Sequence, residues 1–131
     1  MVLCVASIGE DCMEVTDGWY SLPCKVEPGS ELHKLIQARK MVVGTKVVTA
    51  GAEMEGGDQG CHPLEAEGKL QLVLHVNSTR RMKWWAKLGP APPFTVRMDS
   101  LVAGGGPTPF LKLTVARTYP RMYYVKDQGG K

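Results

Sequence analysis

No apolar run in this 131-residue chain approaches the roughly 20 residues that a bilayer-spanning helix needs. No cationic stretch precedes the apolar opening Met1-Val-Leu-Cys-Val5, which therefore reads as a first strand and not as a signal peptide. No two cysteines have Cys-x-x-Cys spacing. They stand at 4, 12, 24 and 61, with Cys4 and Cys24 inside strand-like runs, which predicts free, mostly packed thiols in a reducing compartment. Asn77-Ser-Thr79 is then an accidental match to a glycosylation pattern. There is no Gly-x-Ser-x-Gly elbow, no Walker loop and no Gly-x-Gly-x-x-Gly after a strand. Gly104-Gly-Gly106 runs into Pro107, where a phosphate loop would open a helix with Lys-Ser/Thr. Cys61-His62 lacks a second ligand pair at useful spacing. These absences point away from a membrane span, a disulfide scaffold and an enzyme, and predict neither metal nor cofactor.

What is present is charge, unevenly placed. The formal net charge is +3, but residues 1–79 hold six Lys/Arg against eleven Asp/Glu, while residues 80–131 hold ten against two. If the basic half gathers on one face, it attracts a polyanion or an acidic protein; if it is dispersed, it serves solubility. The densest stretch is Arg80-Arg81-Met-Lys83-Trp84-Trp85-Ala-Lys87, with four cations and two adjacent indoles. Cations neutralise phosphate, and flat aromatic faces stack on unpaired bases or anchor a partner. The competing reading is that one indole packs into the core and the cations are ordinary solvated surface.

The length suits one domain over residues 1–131, and the opening on a strand raises the expectation of a piece of a larger multi-domain protein. Residues 2–8 read as a strand, as do 13–16 and 19–26 around Asp17-Gly18, a hairpin signal of type I′. Alternation then sends Trp19 and Tyr20 to opposite faces, one to the core. Ser30 caps a helix to about Lys40, with Leu32, Leu35, Ile36 and Arg39 sharing a face. His33 reads as a solvated histidine and His75 as a strand-face one. Strands follow at 45–54 and 69–76. Residues 89–110, rich in Pro and Gly, form a long loop with one short strand at 94–98; a final strand runs from Leu111 to Tyr119. This order predicts a mainly β OB fold, a five-stranded Greek-key barrel with one helix between strands 3 and 4, plus an extra C-terminal strand. The loops that would border its groove carry Glu10, Asp11, Glu55, Asp58, Glu65 and Glu67, which repel phosphate.

Seven runs occur in order: Met1-Val-Leu-Cys-Val5, Thr16-Asp-Gly-Trp-Tyr20, Gly51-Ala-Glu53, Cys61-x-Pro-Leu-Glu-Ala66, Asn77-Ser-Thr-Arg80, Trp85-x-Lys-Leu-Gly89 and Arg117-x-Tyr-Pro120. Together they resemble the first OB fold in the DNA-binding region of the breast cancer type 2 susceptibility protein family, over nearly the whole chain. The resemblance implies a nuclear mediator of homologous recombination that loads a RecA-like recombinase onto single-stranded DNA at double-strand breaks. It implies a neighbouring helical domain and further OB folds, weak binding of single-stranded DNA, and help in binding a small, very acidic protein named for the split-hand/split-foot deletion. Arg80, Trp85 and Lys87 match the family run and become DNA or partner contacts; Arg81, Lys83, Trp84 and Tyr20 join them as candidates. Asp17, Gly18, Trp19 and Gly51 are assigned structural roles, Gly51 allowing a bend or a close approach in a long fourth strand. The first loop is shorter here than in better-known members, which removes one groove wall. Recombinase loading belongs to the parent protein and not to this segment.

Overall fold

The computed structural model describes residues 1–10, 12–57, 59–66 and 68–126. Asp11, Asp58 and Glu67, expected at the groove walls, lie outside them. The strands are β1 (Val2–Ile8), β2 (Cys12–Thr16), β3 (Ser21–Lys25), β4 (Lys46–Thr49), β5 (Glu53–Gly56), β6 (Leu70–Val73), β7 (Thr79–Arg81), β8 (Val96–Arg97) and β9 (Leu111–Lys112), with helix α1 (Glu31–Gln37) between β3 and β4. The first seven strands form one sheet in the order β5-β6-β3-β2-β1-β4-β7, and β8 pairs with β9 separately. The mainly β class with one helix after the third strand agrees with the expected OB fold.

The predicted long fourth strand is two strands. Gly51, at φ +80°, turns the chain between them, and a Cβ there would meet nothing within 4 Å. The residue is needed for its left-handed backbone, not for a close approach. β4 pairs with β1 and β5 with β6, so the bend carries one segment to both ends of the ladder. The predicted fifth strand also divides. β6 pairs with β5 and, through Cys24↔Leu72 alone, with β3; after a 3-10 turn at Val76–Ser78, β7 pairs with β4.

Alternation builds the core. Met13 and Val15 of β2 point inward with Cys24 of β3, Leu3 and Val5 of β1, and Leu72. Each fully buried aliphatic contributes roughly 1.5–3 kcal/mol before entropy is counted. Burial pushes the Cys24 thiol up to about 11, so it is an inert packed group. All four cysteines are free, but the expectation of mostly packed thiols is corrected at Cys12, whose position on the outer side of β2 exposes it.

Ser30 caps α1, its Oγ accepting the His33 N–H at 3.2 Å. Leu32 is buried and Leu35 and Ile36 pack against the core. Arg39 does not share that face. It follows the helix at φ +55°, where its N–H donates to the Ile36 carbonyl and that of Lys40 to the Leu35 carbonyl. This is a Schellman ending with arginine where glycine is usual. His33 is not simply solvated: its Nδ1 accepts the Gly29 N–H at 3.0 Å.

The segment after β7 is held at two points. Gly89 exchanges backbone hydrogen bonds with Val2 at 2.7 and 3.0 Å. Asn77 grips the triple-glycine loop: its amide nitrogen donates to the Val102 and Gly106 carbonyls, and its Oδ1 accepts the Val102 N–H. A Cβ at Gly105 would stand 2.6 Å from Asn77 Oδ1, and one at Gly106 would collide with the His75 ring. The triple glycine is therefore a packing device. The final strand is much shorter than expected: only Leu111–Lys112 pair, and the residues to Lys126 are exposed.

Candidate polyanion interface

Two surfaces carry the polar side chains that bear on function. The first is the outer side of β2 and β3, where an OB fold offers its groove. Register places Cys12 opposite Lys25, Glu14 opposite Pro23 and Thr16 opposite Ser21, all turned away from the core pair Met13↔Cys24. Lys25 Nζ lies 2.9 Å from a carboxylate oxygen of Glu55 and 3.0 Å from one of Glu27. The hydrogen bond Lys25 donates to Glu55, then that to Glu27, holds its pKa above the ordinary value. The one cation of this face is thus matched by acids, with exposed Glu14 beside it.

The second surface begins at β7. Register pairs Val47 with Arg81 and Val48 with Arg80, so the two arginines leave the strand on opposite sides. The Arg80 guanidinium stands 5.5 Å from the Phe94 ring centre. The Met82 N–H donates to the Lys46 carbonyl at 2.8 Å, extending the β7–β4 contact. The chain then turns outward. The Ala86 N–H donates to the Lys83 carbonyl, and Lys46 Nζ donates to the Ala86 carbonyl at 2.7 Å, tying the turn to β4.

On this turn Trp84 is 79% and Trp85 62% exposed. Their rings meet edge to face at 88°, with centres 5.7 Å apart, and Lys83 Nζ sits 5.0 Å from the Trp85 ring centre. The reading in which one indole enters the core is corrected: both rings lie just beyond the end strand of the ladder and both are exposed. A cleft of about 420 Å³ lies between Gly44–Lys46 and Arg81–Trp85. Among the described residues, none of Lys46, Arg80, Arg81, Lys83 or Lys87 has a carboxylate within the 4.0 Å of an ion pair.

The hairpin tip also departs from expectation. β3 begins at Ser21, so Trp19 and Tyr20 belong to the turn and neither joins the core; Trp19 is 88% exposed. Asp17 Oδ1 accepts the N–H groups of Trp19 and Tyr20, each at 2.9 Å, and the Asp17 N–H donates to the Tyr20 carbonyl. The Tyr20 bond, then the Trp19 bond, holds the Asp17 carboxyl below the ordinary carboxylate range. Only Gly18 has positive φ, at +98°, so the tip lacks the two positive-φ residues of the expected type I′ turn. Asp17 closes the turn with these bonds and Gly18 supplies its left-handed backbone, whereas Trp19 offers an exposed indole. The Tyr20 ring packs edge-on against His62 at 5.6 Å.

Leu88 connects the two elements, since a Cβ on Gly18 would stand 3.6 Å from its Cδ1. Arg81 through Lys87 form one continuous turn. Arg80 leans the other way onto Phe94, and Tyr20 faces His62. The sequence reading missed Trp19 and Lys46 as contact groups. Placing Trp19 inside the Asp-Gly turn would have exposed it, whereas only the β4–β7 pairing reveals Lys46. Among the described residues no three His, Cys, Asp or Glu side chains gather as metal ligands.

A family model described as BRCA2, oligonucleotide/oligosaccharide-binding, domain 1, matches residues 1–92. The chain is 31% identical to the protein BREAST CANCER SUSCEPTIBILITY 2 homolog B of Arabidopsis thaliana, and equally to homolog A. Each alignment covers 94% of this chain, while the chain spans only 12% of either relative's length. With the ladder order, the helix after the third strand and the bend at Gly51 already in place, the chain belongs to the BRCA2 OB domain 1 family.

Proposed function

We propose that this chain is a non-catalytic binding module of a nuclear homologous-recombination mediator acting in double-strand break repair, and that it contacts single-stranded DNA weakly through the turn after β7. One observation carries the reading: Lys46, Arg81, Lys83 and Lys87, with no acid partner among the described residues, accompany two exposed indoles there, while the groove lysine is held between Glu27 and Glu55. Arg81, Lys83, Lys87 and Lys46 attract the backbone and release its counterions. A base stacks on an indole, contributing roughly 1–3 kcal/mol. Perpendicular rings do not accept two parallel bases, so one stacked base is expected, which fits weak binding.

A second reading has its own support. The cleft beside Trp84 and Trp85 has room for a protein side chain within a cationic rim, which suits the small acidic split-hand/split-foot deletion protein. In that case DNA contact is incidental, and the module presents the partner and positions the neighbouring helical domain and OB folds. Loading of a RecA-like recombinase belongs to the parent protein in either case.

Fluorescence anisotropy of labelled oligo-dT across a salt series separates the two, with the acidic protein as competitor. Micromolar binding that weakens with salt and is displaced by the competitor supports one shared cationic surface. Absence of binding at low salt by the folded domain ends the DNA reading and leaves the scaffold.

A further inference from the structure

We infer that an apolar cavity beneath α1 receives the base next to the one stacked on the exposed indoles, and that it selects thymine over cytosine. This rests on the single-stranded DNA reading and extends the same site. The cavity, of about 450 Å³, lies between α1, β4 and β7. Thr45 and Arg81 line both it and the cleft beside Trp84 and Trp85, so the two adjoin. Register explains the junction: Arg81 pairs with buried Val47 and leaves β7 on the core side.

The walls and the rim specify the occupant. Leu35 and Val76 are only half-buried and line the cavity beside Met41 and Val47. Exposed Lys40 and Arg81 stand at its rim, and among the described residues no acid lines it. Apolar walls with a cationic rim suit a flat, weakly polar body carried on an anionic chain, which is what a nucleotide offers. The perpendicular indoles stack one base and leave its neighbour without a face. Turned into the cavity, that neighbour gains apolar contact, and the phosphate joining the two nucleotides stands at Arg81.

Thr45, at the junction, supplies the discrimination. Its Oγ1 accepts the Val42 N–H at 3.1 Å, and its own O–H remains to be donated. Thymine presents a carbonyl oxygen to accept that hydrogen and a methyl to meet the apolar wall. On the same edge cytosine presents an amine donor and no methyl.

Fluorescence anisotropy of this chain with oligo-dT, oligo-dU and oligo-dC of equal length tests the assignment. Oligo-dT should bind on the order of tenfold more tightly than oligo-dC, with oligo-dU, which lacks the methyl, between them. Leu35→Phe fills the cavity and should bring the three affinities together. Trp85→Ala should weaken all three alike and keep their ratio. Methyl NMR of the unaltered chain serves if the filled variant does not fold: the Leu35 and Val76 signals should shift with oligo-dT. Equal binding of the three oligonucleotides overturns the cavity and spares the DNA reading. So does a preference that survives Leu35→Phe, and so do methyl signals that stay still while oligo-dT binds. Methyl shifts caused by the acidic protein and not by oligo-dT overturn it in favour of a protein side chain. Binding of no oligonucleotide overturns both.

Discussion

The outer face of β2 and β3 and the turn after β7 belong to one small fold, and they treat charge in opposite ways. On the first, Lys25 is enclosed by Glu27 and Glu55, and its proton is held more tightly for it. On the second, Lys83 lies over Trp85 and Lys46 reaches a backbone carbonyl, and among the described residues neither has a carboxylate at ion-pair distance. The fold alone therefore does not decide which surface attracts an anion; the placement of acids does. In this member the lysine on the outer face of β2 and β3 is the one matched by carboxylates.

The sharpest way to break that contrast is to neutralise the turn. Arg81→Gln with Lys83→Gln and Lys87→Gln should weaken oligo-dT binding on the order of 100-fold at low salt and flatten the salt slope by about two. Anisotropy reads both, and unchanged affinity would return the site to the groove. Trp85→Ala comes next. It should cost roughly 1–3 kcal/mol of binding with little change in thermal unfolding, because the indole is exposed. A large fall in stability would mean that the ring packs somewhere after all.

Asp17→Asn tests the tip that carries Trp19 and should cost about 1 kcal/mol at neutral pH. The Asp17 carboxyl is held below its ordinary value, so its contribution is complete above the ordinary carboxylate range. It is lost as pH falls through the depressed folded value. Urea titrations at pH 7 and pH 3 should show the wild type losing this increment and the variant lacking it. Glu55→Gln with Glu27→Gln frees Lys25 and should tighten DNA binding only a few-fold, steepening the salt slope by about one at most. A larger gain would show that the groove was a latent site. The smallest effect is reserved for Arg39→Gly, which relieves the left-handed helix ending and should add up to about 1 kcal/mol of stability. If it also weakens binding, the cationic surface extends to α1.

Much of this was legible in the residues. The alternation at Met13 and Val15, the cap at Ser30 and the order of strands each follow from local chemistry, and the bend at Gly51 from a glycine in a β-prone run. Trp19 and Tyr20 were misplaced because the turn takes up two residues assigned to the strand: β3 begins at Ser21, so strand alternation does not govern either ring. The splitting of the fourth and fifth strands was hidden because it depends on which distant strand each half pairs with. Local propensity at Leu111–Tyr119 reads a strand, but a strand forms only where a neighbour exists, and among the described residues only β8 is there, pairing with Leu111–Lys112 alone. The free charge of the Lys83–Lys87 turn was legible as composition; that its acids lie elsewhere was not.

The grip of Asn77 on the loop at 102–106 has a consequence for inheritance. Gly105 and Gly106 touch neither an anion nor the indoles, yet any side chain at either position displaces the loop from Asn77 or His75. That loop continues from the segment carrying Phe94, on which Arg80 rests. Missense changes at these two glycines should therefore behave as damaging alleles that map far from the interface. In a catalogue of variants they would look like surface substitutions and act like lesions of the core.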